Sequence, residues 1–270
     1  MTQPTYYLNP PIIERVASVY CEMSEETFES RLEDWQNMVR EDFPIVEPLK
    51  EWLINFREVT EEKIPVFDTT EPTLKITPRF SRKSSKEGFD WSIRCPAGQF
   101  TVNMHSNPTQ GQSRRYTHLR EEFARWLPRW LQHFGVEKVH RITLHYVNAL
   151  SHQTVPSFYD KAGNFLLGKV ITVFTQIPGE HECLMPPLDC TATVKLPSPP
   201  DSTLQLTVKD LLNPALGPAV LLDFVVQIPV DSAAGAEQII GLLDQAHEHI
   251  VKRFELVFTP EAKASFNPAA

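Results

Sequence analysis

Apolar residues alternate along Ile12 to Met23: Ile13, Ala17, Val19, Cys21 and Met23 share one side, and Arg15 interrupts them. That period predicts a strand, with Pro10 and Pro11 fixing its start. The period then lengthens. Ser24 reads as an N-cap, Glu25 and Glu26 suit the first turn, and Phe28, Leu32, Trp35 and Val39 form one stripe of a helix ending before Pro44. Strands are expected at Trp52 to Val59, Leu74 to Phe80, Phe89 to Arg94 and Gln99 to His105, the last two joined as a hairpin by Cys95-Pro96-Ala97-Gly98.

The clearest helix carries Leu119, Phe123, Trp126, Leu127, Trp130, Leu131 and Phe134 on one face, and Gly135 stands where a C-terminal cap belongs. Pro128 inside it predicts a kink or two abutting helices. A strand follows, with Ile142, Leu144 and Tyr146 on one side and Arg141, Thr143 and His145 on the other. Further strands are expected at Val170 to Ile177, Cys190 to Leu196, Thr203 to Lys209 and Val220 to Ile228. After a turn at Ser232 to Gly235, a closing helix places Ile239, Leu243, Ala246, Ile250 and Phe254 at helical spacing. Strands outnumber helices and do not alternate with them. The expectation is therefore an α+β fold, antiparallel sheet packed against long helices. The order strand, helix, several strands, long helix occurs about twice, which suggests two similar halves, 1–135 and 136–270, packed as one unit.

The chain has 270 residues, enough for a substantial core, and 26 Lys and Arg against 34 Asp and Glu give a net charge of −8. Charge of that sign argues against a protein held to nucleic acid by its overall field. The charge is uneven. Thirteen acids lie between Glu22 and Glu62, whereas Lys75, Arg79, Arg82, Lys83 and Lys86 cluster without an acid among them. Arg114, Arg115, Arg120, Arg125 and Arg129 crowd the second helix. Opposed acidic and basic surfaces suit docking to a partner, and Arg79, Arg82, Lys83, Lys86, Arg114 and Arg115 are the interaction candidates. Met1 to Pro11 has no basic residue and no apolar run, so no secretory signal is read. No window is apolar enough to span a bilayer, and four cysteines are too few to staple the chain. The expected location is the cytoplasm.

Motifs for chemistry are weak. Gly163 to Lys169 has the glycine and lysine spacing of a phosphate loop, but Val170 replaces the required Ser or Thr, and a strand-like run follows where a helix is needed. His181, Cys183 and Cys190, with His152 as a fourth ligand, have mixed zinc-ligand chemistry without the tight paired spacing of structural sites. His247 and His249 point away from each other on one helix. Trp126 and Trp130 fit the core stripe better than a base-stacking platform. No G-x-S-x-G, H-E-x-x-H or G-x-G-x-x-G occurs, and no cofactor is expected.

Three segments carry a resemblance: Asn9-Pro10-Pro11-Ile12-Ile13-Glu14, Leu144-His145-Tyr146-Val147-Asn148, and Leu243, His247, Ile250, Phe254-Glu255 with Thr259. The chain resembles a sporadically distributed, uncharacterised bacterial family of about this length. That family has an N-P-x-[IV]-E opening, a central R-Y-x-N-like strand and a closing F-E and Thr pattern. His145 stands where arginine is commoner. The resemblance brings no activity or cofactor, and implies accessory genes of the toxin–antitoxin or phage-defence kind. The leading expectation is a non-catalytic interaction protein with a protein partner or a second copy of itself. The alternatives are a ligand-binding domain in which curved strands wrap around a long helix and leave an apolar cavity, with the helices Leu119 to Phe134 and Ile239 to Phe254 as its features, and a hydrolase or nuclease with dispersed residues.

Overall fold

Strand β1 (Ile12–Cys21) is the element from which the sheet is organised. A computed structural model describes residues 7, 10–53, 56–59, 64–67, 73–84, 89–106, 116–161, 163, 165–172, 189–213, 217–230 and 234–267. After β1, Ser24 caps helix α1 (Glu25–Arg40), its hydroxyl accepting from the Thr27 amide at 3.1 Å. Removing that acceptor by Ser24→Ala is expected to cost about 1 kcal/mol in urea unfolding; no change would show that the cap is satisfied by water alone.

Then come β2 (Ile45–Leu53), β3 (Phe56–Val59), β4 (Ile64–Phe67), β5 (Thr73–Ser84), β6 (Phe89–Arg94) and β7 (Gln99–Ser106). Helix α2 (Tyr116–Phe134), β8 (Val139–Ser151) and a short helix α3 (Leu167–Val170) follow. The chain closes with β9 (Asp189–Lys195), β10 (Thr203–Asn213), β11 (Gly217–Pro229), α4 (Ala236–Val257) and α5 (Pro260–Ser265). Among the described residues nine strands form one antiparallel sheet in the order β2-β5-β6-β7-β1-β8-β11-β10-β9, and β3 pairs only with β4. The fold is α+β, as its unalternating strands and helices imply.

One face of the sheet carries the apolar residues and is covered by α2 and α4, with α1 packed on α2. The odd residues of β1 and the even residues of β8 and β11 point to it, and Ala17, Val19, Leu144, Leu222, Phe224 and Val226 are fully buried there. Trp35, Phe100, Trp126, Trp130 and Phe134 form an aromatic cluster between α1, α2 and β7. The hairpin turn works through Gly98, whose φ is +72°; a Cβ there would meet the Cys21 carbonyl oxygen at 2.6 Å. A second glycine, Gly135 at φ +65°, ends α2 in a Schellman arrangement, with the Val136 amide on the Leu131 carbonyl at 2.9 Å.

Several sequence expectations need correction. The Trp52–Val59 strand is instead the end of β2 and a separate β3. β2 begins at Ile45 and tolerates Pro48, placed opposite Pro78, because it is an edge strand. At the start of the strand expected over Val170 to Ile177, the chain makes the single helical turn of α3, which buries Leu167 and Val170, and Ile171 forms an isolated bridge to Phe258; residues 173–177 lie outside the described residues. That turn lies inside the phosphate-loop-like segment. β5 runs on to Ser84, past the expected end at Phe80, so Arg82 and Lys83 also belong to the strand. Helix α2 runs uninterrupted through Pro128, whose ring is exposed. Among the described residues no helix is long and apolar enough to cross a membrane.

Candidate ligand groove on the open face of the sheet

Because side chains alternate along a strand, the face opposite the helices collects the other residues of each strand. β1 contributes Glu14, Val16, Ser18 and Tyr20. The register places His105, Asn103, Thr101 and Gln99 of β7 beside them on one flank. Val147, His145, Thr143 and Arg141 of β8 lie on the other. Rows then continue outward: Thr101 faces Arg94, Arg94 faces Arg79, and Arg79 faces Glu47. On the far side Thr143 faces Gln227 and His145 faces Val225.

Most of these residues, though not Thr101, Val147 or Glu47, line a groove of about 440 Å³ that draws on seven neighbouring strands, from Leu49 of β2 to Val225 and Gln227 of β11. The volume falls within the range of ligand sites. Six strand spacings give an arc of about 29 Å along the sheet, the length of an extended chain of about eight residues. The lining has three arginines, Arg79, Arg94 and Arg141, and one carboxylate, Glu14.

The floor is hydroxylic. Ser18 and Thr101 share a hydrogen bond at 2.9 Å, and Gln99 Nε2 donates to Thr101 Oγ1 at 2.9 Å. Glu14 accepts from the Asn103 amide and stands 3.5 Å from His105 Nε2. Arg79 Nε donates to Glu47 at 3.0 Å, so this sequence candidate is already neutralised. Arg141 is different: its guanidinium lies over the Tyr20 ring at 4.0 Å and has no carboxylate partner among the described residues. His145 Nε2 and Asp223 Oδ1 stand 3.5 Å apart without hydrogen-bond geometry. Ser92 Oγ, Asn103 Oδ1, Arg141 Nε, His145 Nε2 and Asp223 Oδ1 are shielded from solvent and have no hydrogen-bond partner within the protein. Shielded polar atoms cost about 1–3 kcal/mol each when unpaired, so this face of the sheet carries polar groups at a cost to stability.

The other sequence candidates fall elsewhere. Arg82 points to the helix side, its guanidinium 4.9 Å from the Phe43 ring and 3.4 Å from Glu122. Lys83 is exposed beside Asp90 in register, so strand alternation divides the basic run between two faces. Lys86, Arg114, Arg115, His181 and Cys183 lie outside the described residues. Cys190 is exposed on β9, His152 is exposed near Tyr159, and among the described residues no three His, Cys, Asp or Glu gather as a metal site. Trp126 and Trp130 are fully buried. His249 bonds the Ser198 carbonyl at 2.6 Å. Burial raises the Cys21 thiol to about 11 and pushes Cys95 higher still, so both are inert toward nucleophilic chemistry at neutral pH.

A second polar cluster lies beneath the helices. Arg15, the residue that interrupts the apolar side of β1, is 5% exposed and has its guanidinium 5.1 Å from the Tyr146 ring centroid. Tyr146 shares a hydrogen bond with His247 Nδ1 at 2.8 Å, and the His247 ring stacks on Tyr116 at 4.0 Å. Tyr116 donates to Asp244 at 2.8 Å, which also accepts from Arg120 at 2.8 Å. Tyr146 and Asn148, both in the central segment of the family resemblance, therefore sit on the core side. Asn148 donates to the Leu222 carbonyl at 2.9 Å. His145, between them, faces the groove. No family model, no curated protein and no solved structure matches this chain.

Proposed function

We propose that this chain is a non-catalytic binding protein, an accessory subunit that holds an acidic segment of a partner protein in the groove. The observation that carries the reading is Arg141, a guanidinium stacked on Tyr20 and without a carboxylate partner among the described residues, set in a hydroxyl-lined channel. An arginine held flat by an aromatic ring keeps its donor fork open for a carboxylate. Among the described residues no groove hydroxyl hydrogen-bonds a histidine, which favours holding a ligand over bond-making. With the family resemblance, this role fits an antitoxin-like or defence-locus accessory of the bacterial cytoplasm. The strand order also supports the two-halves reading of 1–135 and 136–270: from the central β1–β8 pair, β7, β6 and β5 run outward on one side, and β11, β10 and β9 on the other.

The test is fluorescence anisotropy with a labelled oligoglutamate peptide of about eight residues. Binding should weaken with added salt, and Arg141→Ala should weaken it about tenfold or more while melting stays unchanged. Equal affinity for an oligolysine peptide, or indifference to Arg141→Ala, would overturn the reading. Competition by inorganic phosphate alone at the same site would assign the groove to a small oxyanion instead.

A further inference from the structure

The two edges of the sheet are built differently. β2 carries Pro48 and alternates charges along its length, devices that discourage another strand from adding on. β9, Asp189-Cys190-Thr191-Ala192-Thr193-Val194-Lys195, has none of them in its interior. It holds register with β10 over its full seven residues, from Lys209↔Asp189 to Thr203↔Lys195, without a bulge. All seven side chains are exposed, and among the described residues no strand pairs with its outer side. Its faces are sorted. Register with β10 puts Cys190, Ala192 and Val194 on the helix side beside Val208, Leu206 and Leu204, and puts Thr191 and Thr193 on the groove side beside Thr207 and Gln205.

The sequence of β9 is complementary to itself. Laid antiparallel on a second copy with Ala192 opposite Ala192, it sets Asp189 against the partner subunit's Lys195 and Thr191 against the partner subunit's Thr193. Cys190 then meets the partner subunit's Val194. Every cross-strand pair is matched: opposite charges, two threonines, two apolar residues, and alanine on the axis. A shift by one residue would place apolar side chains on the polar face.

We infer that β9 pairs with the β9 of a second copy, closing a two-fold dimer whose sheet runs without a break through twice nine strands. The axis stands perpendicular to the sheet, so both open grooves face the same way. This pairing is independent of what the grooves hold. One strand pair is a small interface, so the dimer exchanges with monomer in a concentration-dependent way.

Sedimentation equilibrium on the full chain tests it. The wild type should show dimer in the range up to about 1 mM, and Ala192→Lys, which sets two ammonium groups face to face on the axis, should leave monomer. Lys195→Glu should weaken dimerisation about tenfold or more by opposing Asp189, and adding Asp189→Lys should restore it. Val194→Cys should give a covalent dimer under mild oxidation, through the partner subunit's Cys190. These positions are exposed, so melting should not move. A chain monomeric throughout that range overturns the inference, as does a dimer indifferent to Ala192→Lys or a charge swap that fails to restore.

Discussion

Trp130→Ala is expected to cost about 3–5 kcal/mol, the range for removing a fully buried large aromatic. The side chain is 0% exposed and stacks on Phe100 of β7 with ring centroids 5.5 Å apart. Its indole Nε1 also donates to Cys95 Sγ at 2.9 Å, tying α2 to the β6–β7 turn. Alanine therefore opens a cavity at the junction of three elements and leaves a buried sulfur without its donor. Single domains have total stabilities of about 5–15 kcal/mol, so the variant should unfold at much lower urea. Trp130→Phe keeps most of the apolar volume and should recover more than half of the loss. A change under about 1 kcal/mol for the alanine variant would mean the cluster relaxes around the gap, contrary to the packing described.

Acid should destabilise the fold through His247. Burial, aided by the charge of Arg15, lowers its pKa from 6.5 to about 4, against a small opposing pull from Asp244. Facing it are Arg15 of β1, Tyr146 of β8, and Tyr116 of α2, whose ring stacks on it; Asp244 lies on its own helix. A histidine with a depressed folded pKa binds its proton more readily when unfolded. The stabilisation is thus complete above pH 6.5 and drains away as pH falls toward about 4. The depression corresponds to about 3 kcal/mol in full. His247→Gln keeps an acceptor for the Tyr146 hydroxyl and removes the titration. Between about pH 7 and 4.5 the wild type should lose about 2–3 kcal/mol more than this variant in urea unfolding. Parallel pH profiles for the two proteins would show that His247 is solvated.

The helices were legible because each buries one stripe: Phe28, Trp35 and Val39 in α1, and Leu119 through Phe134 in α2, are where periodicity puts them. Arg15 was visible only as an interruption. Its burial depends on Tyr146 and His247, which strand pairing and helix docking bring in from far along the chain. The groove was half legible. Arg141, Thr143 and His145 show in sequence as a polar strand face, but their meeting with Ser18, Thr101 and Arg94 requires β1 to lie between β7 and β8, a long-range order no local period encodes. The basic run Lys75 to Lys86 misled for the same reason. Read as one patch, it has Arg79 facing the groove and Arg82 spent on Phe43 and Glu122. β2 was hidden by Pro48, which the unpaired side of an edge strand accepts.

Reversing the groove arginine that stacks on Tyr20, by Arg141→Glu, tests the account most directly. Anisotropy titrations with oligoglutamate and oligolysine peptides should show the acidic peptide lost and the basic one gained, while the urea midpoint stays in place. An acidic peptide bound as tightly to Arg141→Glu as to the wild type would contradict the account.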